Sequence, residues 1–395
     1  MTANIAQDKE SSPYRWIIVF TAFFTFVTFA FAFQLMPPLL RIISQEFGLS
    51  ETDSGLLMSM VVIPGVVLAL PAGLIVNRYG FRLVGILSTL LVAIGSLTTA
   101  LADNFLVAIL GRLILGIGGA FIVVGMPTVI PQWFPSKDLG KAMGIYATNM
   151  PVATILAFPT ATILANNFGW HYPFYVGTGL SFVGAIIFVL TMREGPLKRH
   201  TKQVSTGEVK LALQVGEVWK SSLVWMFFNM TALAFLSWGP TLFERFKGLD
   251  SLYASFLTSI LMYGALLFVP IFGWASDSWG RRKPFIVAGL ILMMIALNTI
   301  AYTTDFLLLS SVIFLGVTAA MIPPIIMTIA ASSLPPSLSG TVFSVVTLCQ
   351  NLGIAFSAPL AGYILQVTDS IQLTLFGISL FAITGTIIAL TSKSR

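Results

Sequence analysis

One cationic side chain, Arg112, stands well inside a long apolar run of the sequence, eight residues after Asn104. That spacing corresponds to about 12 Å along a helix. An arginine at such depth in a bilayer is costly, because its charge needs carbonyl oxygens, a bound anion or lipid headgroups. Two roles stay open for Arg112: a structural or conformational one, and direct contact with a bound solute.

Amide, hydroxyl and aromatic polar groups also occur at mid-depth in other apolar runs. An amide facing hydrocarbon is expensive, so these side chains should face the protein interior. There they could bind a solute, or they could only form hydrogen bonds between helices. The set comprises Thr28, Gln34, Tyr146, Asn149, Asn229, Trp238, Tyr263, Gln350 and Asn351.

The residue types that support enzymatic or metal chemistry do not form a cluster in the sequence. His171 and His200 lie in different loops, and the single cysteine, Cys349, excludes an internal disulfide. No segment matches a phosphate-binding glycine loop, which argues against ATP-driven work. We therefore predict no catalytic residue, no metal site and no cofactor, and we predict that the protein is not an enzyme.

The elements that must position these residues follow from the composition. Of the 395 residues, 56% are hydrophobic and 9% are charged, and the mean hydropathy is +0.92. Soluble domains carry roughly 25% charged residues, so this chain needs the bilayer as its solvent. Twelve runs are long enough to span it: 16–40, 55–76, 82–102, 104–130, 140–166, 171–192, 221–243, 253–275, 284–302, 306–331, 338–366 and 371–391. Prolines within the runs, among them Pro37 and Pro38, predict kinks.

The net charge of +6 is explained by membrane topology rather than by nucleic-acid binding. With the N-terminus inside, seventeen Lys and Arg residues fall in cytoplasmic segments, and only Arg41, Arg245 and Lys247 fall in outer loops. The positive-inside rule therefore predicts cytoplasmic N- and C-termini. We also expect that the protein lies in the inner or plasma membrane.

An internal repeat divides the chain. Gly73–Arg82 reads GLIVNRYGFR and Gly273–Arg282 reads GWASDSWGRR, so G-x-x-x-[N/D]-x-x-G-x-R occurs twice, 200 residues apart. The longest polar connector lies between the two copies. We predict an N-terminal six-helix bundle at 1–192, a cytoplasmic linker at 193–220 and a C-terminal six-helix bundle at 221–395.

These motifs resemble those of the major facilitator superfamily over essentially the whole chain. The second loop copy closely matches the family's loop motif, whereas in the first copy Asn77 stands where the family usually has Asp. Gly111-Arg112 followed by Gly116 resembles the motif of the family's fourth helix, and Trp133-Phe134-Pro135 resembles its helix 4–5 junction.

The resemblance implies two six-helix bundles related by pseudo-two-fold symmetry and transport by alternating access. It implies that the mid-depth polar set, with Arg112, lines a central cavity. It also implies that the loop turns form a conformational latch, although their arginines could merely set topology. The latch residues would be Gly73, Asn77, Arg78, Gly80, Arg82, Gly273, Asp277, Gly280, Arg281 and Arg282.

The carboxylates of the sequence fall near the ends of the runs or in loops. A cavity without carboxylates disfavours cationic drugs and favours a neutral or weakly anionic small solute. The family resemblance further implies a monomeric secondary active or facilitative transporter for uptake, with or without a co-transported ion. A drug or metabolite efflux antiporter of the same fold is the main alternative. A non-transporting sensor and a polytopic membrane enzyme are alternatives from other classes.

Overall fold

The computed structural model of the protein describes residues 13–68, 71–193, 195, 213–334 and 339–392. These ranges are helical and contain no strand. The helices are α1 (Tyr14–Gln34), α2 (Met36–Phe47), α3 (Glu51–Ser59), α4 (Ile63–Leu68), α5 (Pro71–Tyr79), α6 (Phe81–Ala100), α7 (Phe105–Val129), α8 (Ser136–Ala147), α9 (Asn149–Phe168), α10 (His171–Thr191), α11 (Gly216–Lys247), α12 (Ser251–Trp279), α13 (Lys283–Tyr302), α14 (Asp305–Ala319), α15 (Pro323–Ser332), α16 (Ser339–Thr368) and α17 (Ile371–Thr391).

Twelve helical stretches in the described ranges are long and apolar enough to cross a membrane. They are Tyr14–Phe47, Glu51–Leu68, Phe81–Ala100, Phe105–Gln132, Asp138–Phe168, His171–Thr191, Gly216–Lys247, Ser251–Trp279, Lys283–Tyr302, Asp305–Ala330, Val342–Thr368 and Ile371–Thr391. The prediction of an all-α protein with twelve transmembrane helices is confirmed.

The second span begins earlier than predicted, at Glu51 rather than at residue 55. Ser50 has an extended backbone, and its side chain accepts a hydrogen bond from the backbone N–H of Asp53. This contact satisfies one of the N–H groups that a helix leaves free at its start. A polar turn therefore belongs to the helix, although hydropathy alone places it in a loop.

The first span is interrupted at Leu35, between α1 and α2. Pro37 and Pro38 follow directly, and neither has a backbone N–H to donate to the carbonyl four residues earlier. The carbonyl oxygen of Phe33 therefore lacks the helical partner that residue 37 would otherwise supply. The predicted kink lies at this position.

The contacts among Cα atoms divide the chain into two compact units. The first unit comprises Met1–Leu35, Ile63–Thr160 and Leu164–Thr201, and the second comprises Met36–Val62, Ala161–Ile163 and Lys202–Arg395. This division is by contacts, so it does not test the predicted bundle boundaries, which stay a prediction. Most of the linker predicted at 193–220 lies outside the described residues.

Each unit contains a close helix–helix approach that depends on glycine. In the first unit, a Cβ atom at Gly95 would meet the backbone of Gly111 and Leu115 across the α6–α7 pair. In the second unit, a Cβ atom at Gly264 would meet the backbone of Gly316, across the α12–α14 pair. Small residues of this kind allow transmembrane helices to pack at short range.

The ends of the helices repeat one arrangement at the 200-residue offset. Tyr14 Oη donates to the carbonyl oxygen of Thr191 over 2.6 Å in the first unit. Lys220 Nζ donates to the carbonyl oxygen of Thr391 over 2.8 Å in the second. Both acceptors end a helix, where carbonyl groups have no helical partner. The repeat thus preserves the position of the acceptor while the donor changes.

Candidate functional site

Arg112 is fully buried in α7 and bonds to backbone carbonyl groups of α1. Its Nη1 donates to the oxygen of Ala32 over 3.2 Å, and its Nη2 donates to the oxygen of Phe33 over 3.1 Å. The Phe33 ring also lies 5.6 Å from the guanidinium carbon. Arg112 therefore satisfies the carbonyl that Pro37 leaves without a helical donor. This geometry gives Arg112 a structural role at the break in the first span.

The first and fifth spans contact each other within the first unit through aromatic and polar side chains. The rings of Phe26 and Tyr146 pack edge to face with their centroids 5.9 Å apart. Further along, Gln34 Nε2 donates to Thr154 Oγ1 over 2.9 Å. The second contact lies eight residues after the first on both helices. The two helices therefore run parallel, and the two contacts lie roughly 12 Å apart. We call this stretch, from Phe26 and Tyr146 to Gln34 and Thr154, the helix 1–5 groove.

Buried polar atoms without a hydrogen-bond partner are concentrated in the first unit. Among the described residues they are Thr25 Oγ1, Gln34 Oε1, Trp133 Nε1 and Tyr146 Oη, whereas the second unit has Thr241 Oγ1. Leaving such an atom unpaired costs about 1–3 kcal/mol. Two of these atoms, on Gln34 and Tyr146, stand at the two ends of the helix 1–5 groove.

The amides predicted on the seventh and eleventh spans bond to each other. Asn229 Nδ2 donates to the carbonyl oxygen of Trp225 over 2.8 Å, and Trp225 Nε1 donates to Gln350 Oε1 over 2.9 Å. Gln350 Nε2 reaches Asn229 Oδ1 at 3.5 Å. The structure therefore brings two predicted residues together through Trp225, which sequence reasoning missed. Trp225 lies four residues before Asn229 on the same helix, and this spacing could have indicated the contact.

The remaining members of the predicted set have diverse surroundings. Thr28 Oγ1 donates to the carbonyl oxygen of Thr25 over 2.8 Å, and Asn149 is buried at the start of α9. Trp238 is fully buried, and its Nε1 donates to the carbonyl oxygen of Ala358 over 2.8 Å. Tyr263 is 37% exposed, and Asn351 is half-buried. Whether any of them contacts a solute stays a prediction.

Both loop turns place a glycine in a backbone conformation with positive φ. Gly80 has φ of 81°, and Gly280 has φ of 66°, a region that side chains with a Cβ atom rarely adopt. The turns therefore require glycine at these two positions. Gly73 and Asn77 lie in α5, but the side chain of Asn77 is outside the described part of the structure.

The charged residues of the two turns make different contacts. Arg82 donates through Nη2 to the carbonyl oxygen of Val189 over 3.2 Å. In the second copy, Arg282 Nη2 lies 3.5 Å from Asp277 Oδ1; Asp277 is exposed and Arg282 is half-buried. Lys283 donates to the carbonyl oxygens of Leu390 and Ser392. Arg78 packs against the ring of Tyr79, and Arg281 is exposed.

Residues that could hold a metal ion are not grouped in the described ranges, where no three His, Cys, Asp or Glu side chains come together. The chemistry of the helix 1–5 groove is instead that of neutral hydrogen bonding and aromatic contact. Side chains of this kind can bind a small solute through hydrogen bonds.

The family model of the Major Facilitator Superfamily matches residues 18–260 and 245–394. A probable nitrate/nitrite antiporter of Thermus thermophilus is 27% identical over 296 residues, which cover 72% of this chain and 66% of that protein. A nitrite extrusion protein of Bacillus subtilis (strain 168) is 28% identical over 272 residues, which cover 67% of this chain and 66% of that protein. The match thus spans slightly less than two thirds of the length of both relatives.

A solved structure, that of a D-xylose–proton symporter, shares the fold. It superimposes with a TM-score of 0.80 at 19% identity, covering 95% of this chain and 97% of the symporter. The family match covers nearly all of the chain, and the relatives named here are transporters. The chain therefore belongs to the Major Facilitator Superfamily and is an integral membrane protein.

Proposed function

We propose that the protein takes up a small, weakly anionic or neutral metabolite by alternating access, as a secondary active or facilitative transporter. It works as a monomer in the inner or plasma membrane with cytoplasmic N- and C-termini, with or without a co-transported ion. The observation that carries this proposal is the helix 1–5 groove, which holds unpaired polar atoms at both ends.

The groove supports solute binding through its energetics. The Tyr146 hydroxyl can donate and accept a hydrogen bond, and Gln34 Oε1 can accept one. A solute bearing hydroxyl or carboxylate groups would provide these partners and remove the cost of leaving them unpaired. The aromatic face of Phe26 beside Tyr146 suits the apolar part of such a solute.

Charge supports the restriction to weakly anionic or neutral solutes. The acidic side chains in the described spans lie at or near helix ends, such as Glu46, Glu51, Glu244 and Asp277, whereas Arg112 lies at mid-depth. Arg112 carries a positive charge at this depth and bonds to two neutral carbonyl groups, so it favours an anion nearby over a cation. The nitrate and nitrite named for two relatives are anions, in agreement with this charge pattern.

The test is transport by the purified protein in proteoliposomes. Counterflow should be measured for nitrate, nitrite, a sugar acid, a dipeptide and xylose, with empty liposomes as the control. We expect saturable flux for at least one anionic or neutral solute. Absence of saturable flux for every solute, from protein that is monodisperse before reconstitution, would overturn the proposal.

A second candidate function is efflux by exchange. The specific observation in its favour is that one relative is named as an antiporter and the other as an extrusion protein. Exchange and uptake differ in their dependence on solute on the opposite side of the membrane. Flux that occurs only when the far side is loaded with a second solute would favour exchange over uptake.

We further propose that the two loop turns act as the conformational latch. Asp277 and Arg282 lie within reach of each other in the second turn, whereas the first turn has Asn77 in place of the acidic residue. An amide can form a hydrogen bond but carries no charge, so the first turn should hold less strongly. Asp277 is therefore the residue whose change should shift the balance between conformations most.

A further inference from the structure

A separate cavity of about 360 Å³ lies within the second unit, away from the helix 1–5 groove. Two helix faces border it. Arg41, Ser44 and Gln45 lie on one face of α2, at positions i, i+3 and i+4. Trp238, Thr241 and Arg245 lie on one face of α11, at positions i, i+3 and i+7. The spacing of these six residues along the two helices therefore directs them to the same cavity.

Buried residues form the inner wall of the cavity. Trp238 is fully buried, and its indole nitrogen is already bonded to the carbonyl oxygen of Ala358. Thr241 is 4% exposed, and its hydroxyl has no hydrogen-bond partner. The cavity therefore contains a buried group that can donate a hydrogen bond and is not used by the protein itself.

Two exposed arginines stand where the cavity meets solvent, and both also form ion pairs. Arg41 Nη1 lies 3.1 Å from Glu244 Oε2. Arg245 lies 2.8 Å from Glu51 Oε1 through Nη1 and 2.7 Å from Asp369 Oδ1 through Nη2. A guanidinium has five N–H donors, so these ion pairs leave donors on both arginines for another acceptor.

We propose that this cavity binds a small organic anion, a carboxylate that also carries hydroxyl groups. Guanidinium groups match a carboxylate in shape and charge. The Thr241, Ser44 and Gln45 side chains offer hydrogen bonds to hydroxyl groups, and Leu40 and Leu49 offer apolar contact. The volume falls at the lower end of the range for organic ligands, so an inorganic oxyanion would leave most of it empty.

The inference goes beyond the proposed transport function, because it assigns a second binding site at the predicted outer ends of the spans. An anion held there would lie beside Glu51 and Glu244 and would compete with them for the two arginines. The site therefore couples occupancy to the ion pairs that join α2, α3 and α11. Binding at this cavity does not require that the protein transports the same solute.

The test is protection of a cysteine placed in the cavity. Gln45 is exposed and lines the cavity, whereas the native Cys349 is 4% exposed. The full-length Gln45→Cys protein should be labelled with a fluorescent maleimide in detergent, with the wild-type chain giving the background. Sodium gluconate is the probe, and sodium nitrate and xylose are compared at equal concentrations. We expect gluconate to slow labelling strongly, and nitrate and xylose to slow it little.

Second substitutions assign the protection to the cavity. Thr241→Val in the Gln45→Cys background should raise the gluconate concentration for half-protection about tenfold, the effect of one lost hydrogen bond to an anion. Thr241→Ser should restore it. Thr231→Val is the matched control, because Thr231 is buried on the same helix and bonds to the carbonyl oxygen of Phe227. Tyr146→Phe tests for binding at the helix 1–5 groove instead.

Several results would overturn the inference. They are the absence of gluconate protection, equal protection by nitrate or xylose, unchanged protection with Thr241→Val, and loss of protection with Tyr146→Phe. The last result would place the ligand in the helix 1–5 groove. Failure of solute flux in proteoliposomes bears on the proposed function alone, because the labelling measurement needs no transport.

Discussion

The two units differ in how many of their buried polar side-chain atoms have a hydrogen-bond partner. In the first unit, four of the described buried side chains have a polar atom without a partner, including those of Gln34 and Tyr146. In the second unit, the amides of Asn229 and Gln350 bond to each other and to Trp225. Both units carry polar groups at mid-depth in the spans, but only in the second unit do two predicted amides and an indole bond to one another.

This difference indicates which unit can offer hydrogen bonds to a solute. A satisfied amide network gains little from a ligand, because a new bond must replace an existing one. An unpaired buried atom gains the full hydrogen bond. We therefore expect the first unit to supply most of the polar recognition, and the Asn229–Gln350 network to hold the second unit's helices together.

The largest effect should come from removing Arg112, which is fully buried in the first unit and bonds to two backbone carbonyls. Arg112→Met deletes both bonds to α1 and leaves the Phe33 carbonyl without a donor. We expect a loss of about 3 kcal/mol in stability, seen as a lower apparent Tm in detergent. Thr98→Val, which removes an exposed hydroxyl in the same unit, is the control. An unchanged Tm for Arg112→Met would contradict the structural role.

The second largest effect is expected at the buried polar atoms of Tyr146 and Gln34 that have no hydrogen-bond partner. Tyr146→Phe removes a hydroxyl that has no partner in the protein, so the stability should stay equal or rise slightly. If a transported solute bonds to that hydroxyl, the KM for transport should rise about tenfold. Gln34→Ala should raise KM in the same direction, with an added loss of stability because it also breaks the bond to Thr154. Unchanged KM values for both variants would remove the helix 1–5 groove from the site.

A smaller effect is expected for the amide network of the second unit. Asn229→Ala and Gln350→Ala should each lower stability, and a double-mutant cycle should show a coupling of about 1 kcal/mol. Because the two amides serve each other, neither change should alter KM by more than about twofold. A large increase in KM for these variants, without coupling between them in stability, would contradict this prediction. It would indicate that the second unit supplies the polar recognition of the solute.

The smallest effect on stability is expected at the exposed loop turn. Asp277→Asn removes a pair that spans 3.5 Å between an exposed and a half-buried side chain, a contact worth about 0–1 kcal/mol. Its consequence should instead be conformational, with altered cysteine accessibility at the two ends of the spans. Asn77→Asp is the reciprocal change, and it should strengthen the first turn. Equal accessibility in both variants and the wild type would argue that these charges only set topology.

Much of the fold could be predicted because its signals are local. Hydropathy locates the twelve spans, Pro37 and Pro38 mark the break near Leu35, and the turn glycines mark Gly80 and Gly280. The partners of the site residues could not be predicted in the same way. Arg112 meets carbonyls about 80 residues earlier in the chain, and Gln350 meets Trp225 across 125 residues. Such pairs depend on helix rotation and depth, which periodicity alone does not fix.

The helix-end contacts that the repeat preserves have a consequence for the response to salt. The contact in the first unit joins a neutral phenol, Tyr14, to the Thr191 carbonyl, whereas that in the second joins an ammonium group, Lys220, to the Thr391 carbonyl. Ions in solution screen the charged contact and leave the neutral one nearly unchanged. The helix-end contact of the second unit should therefore weaken as ionic strength rises, whereas the equivalent contact of the first unit should stay nearly constant.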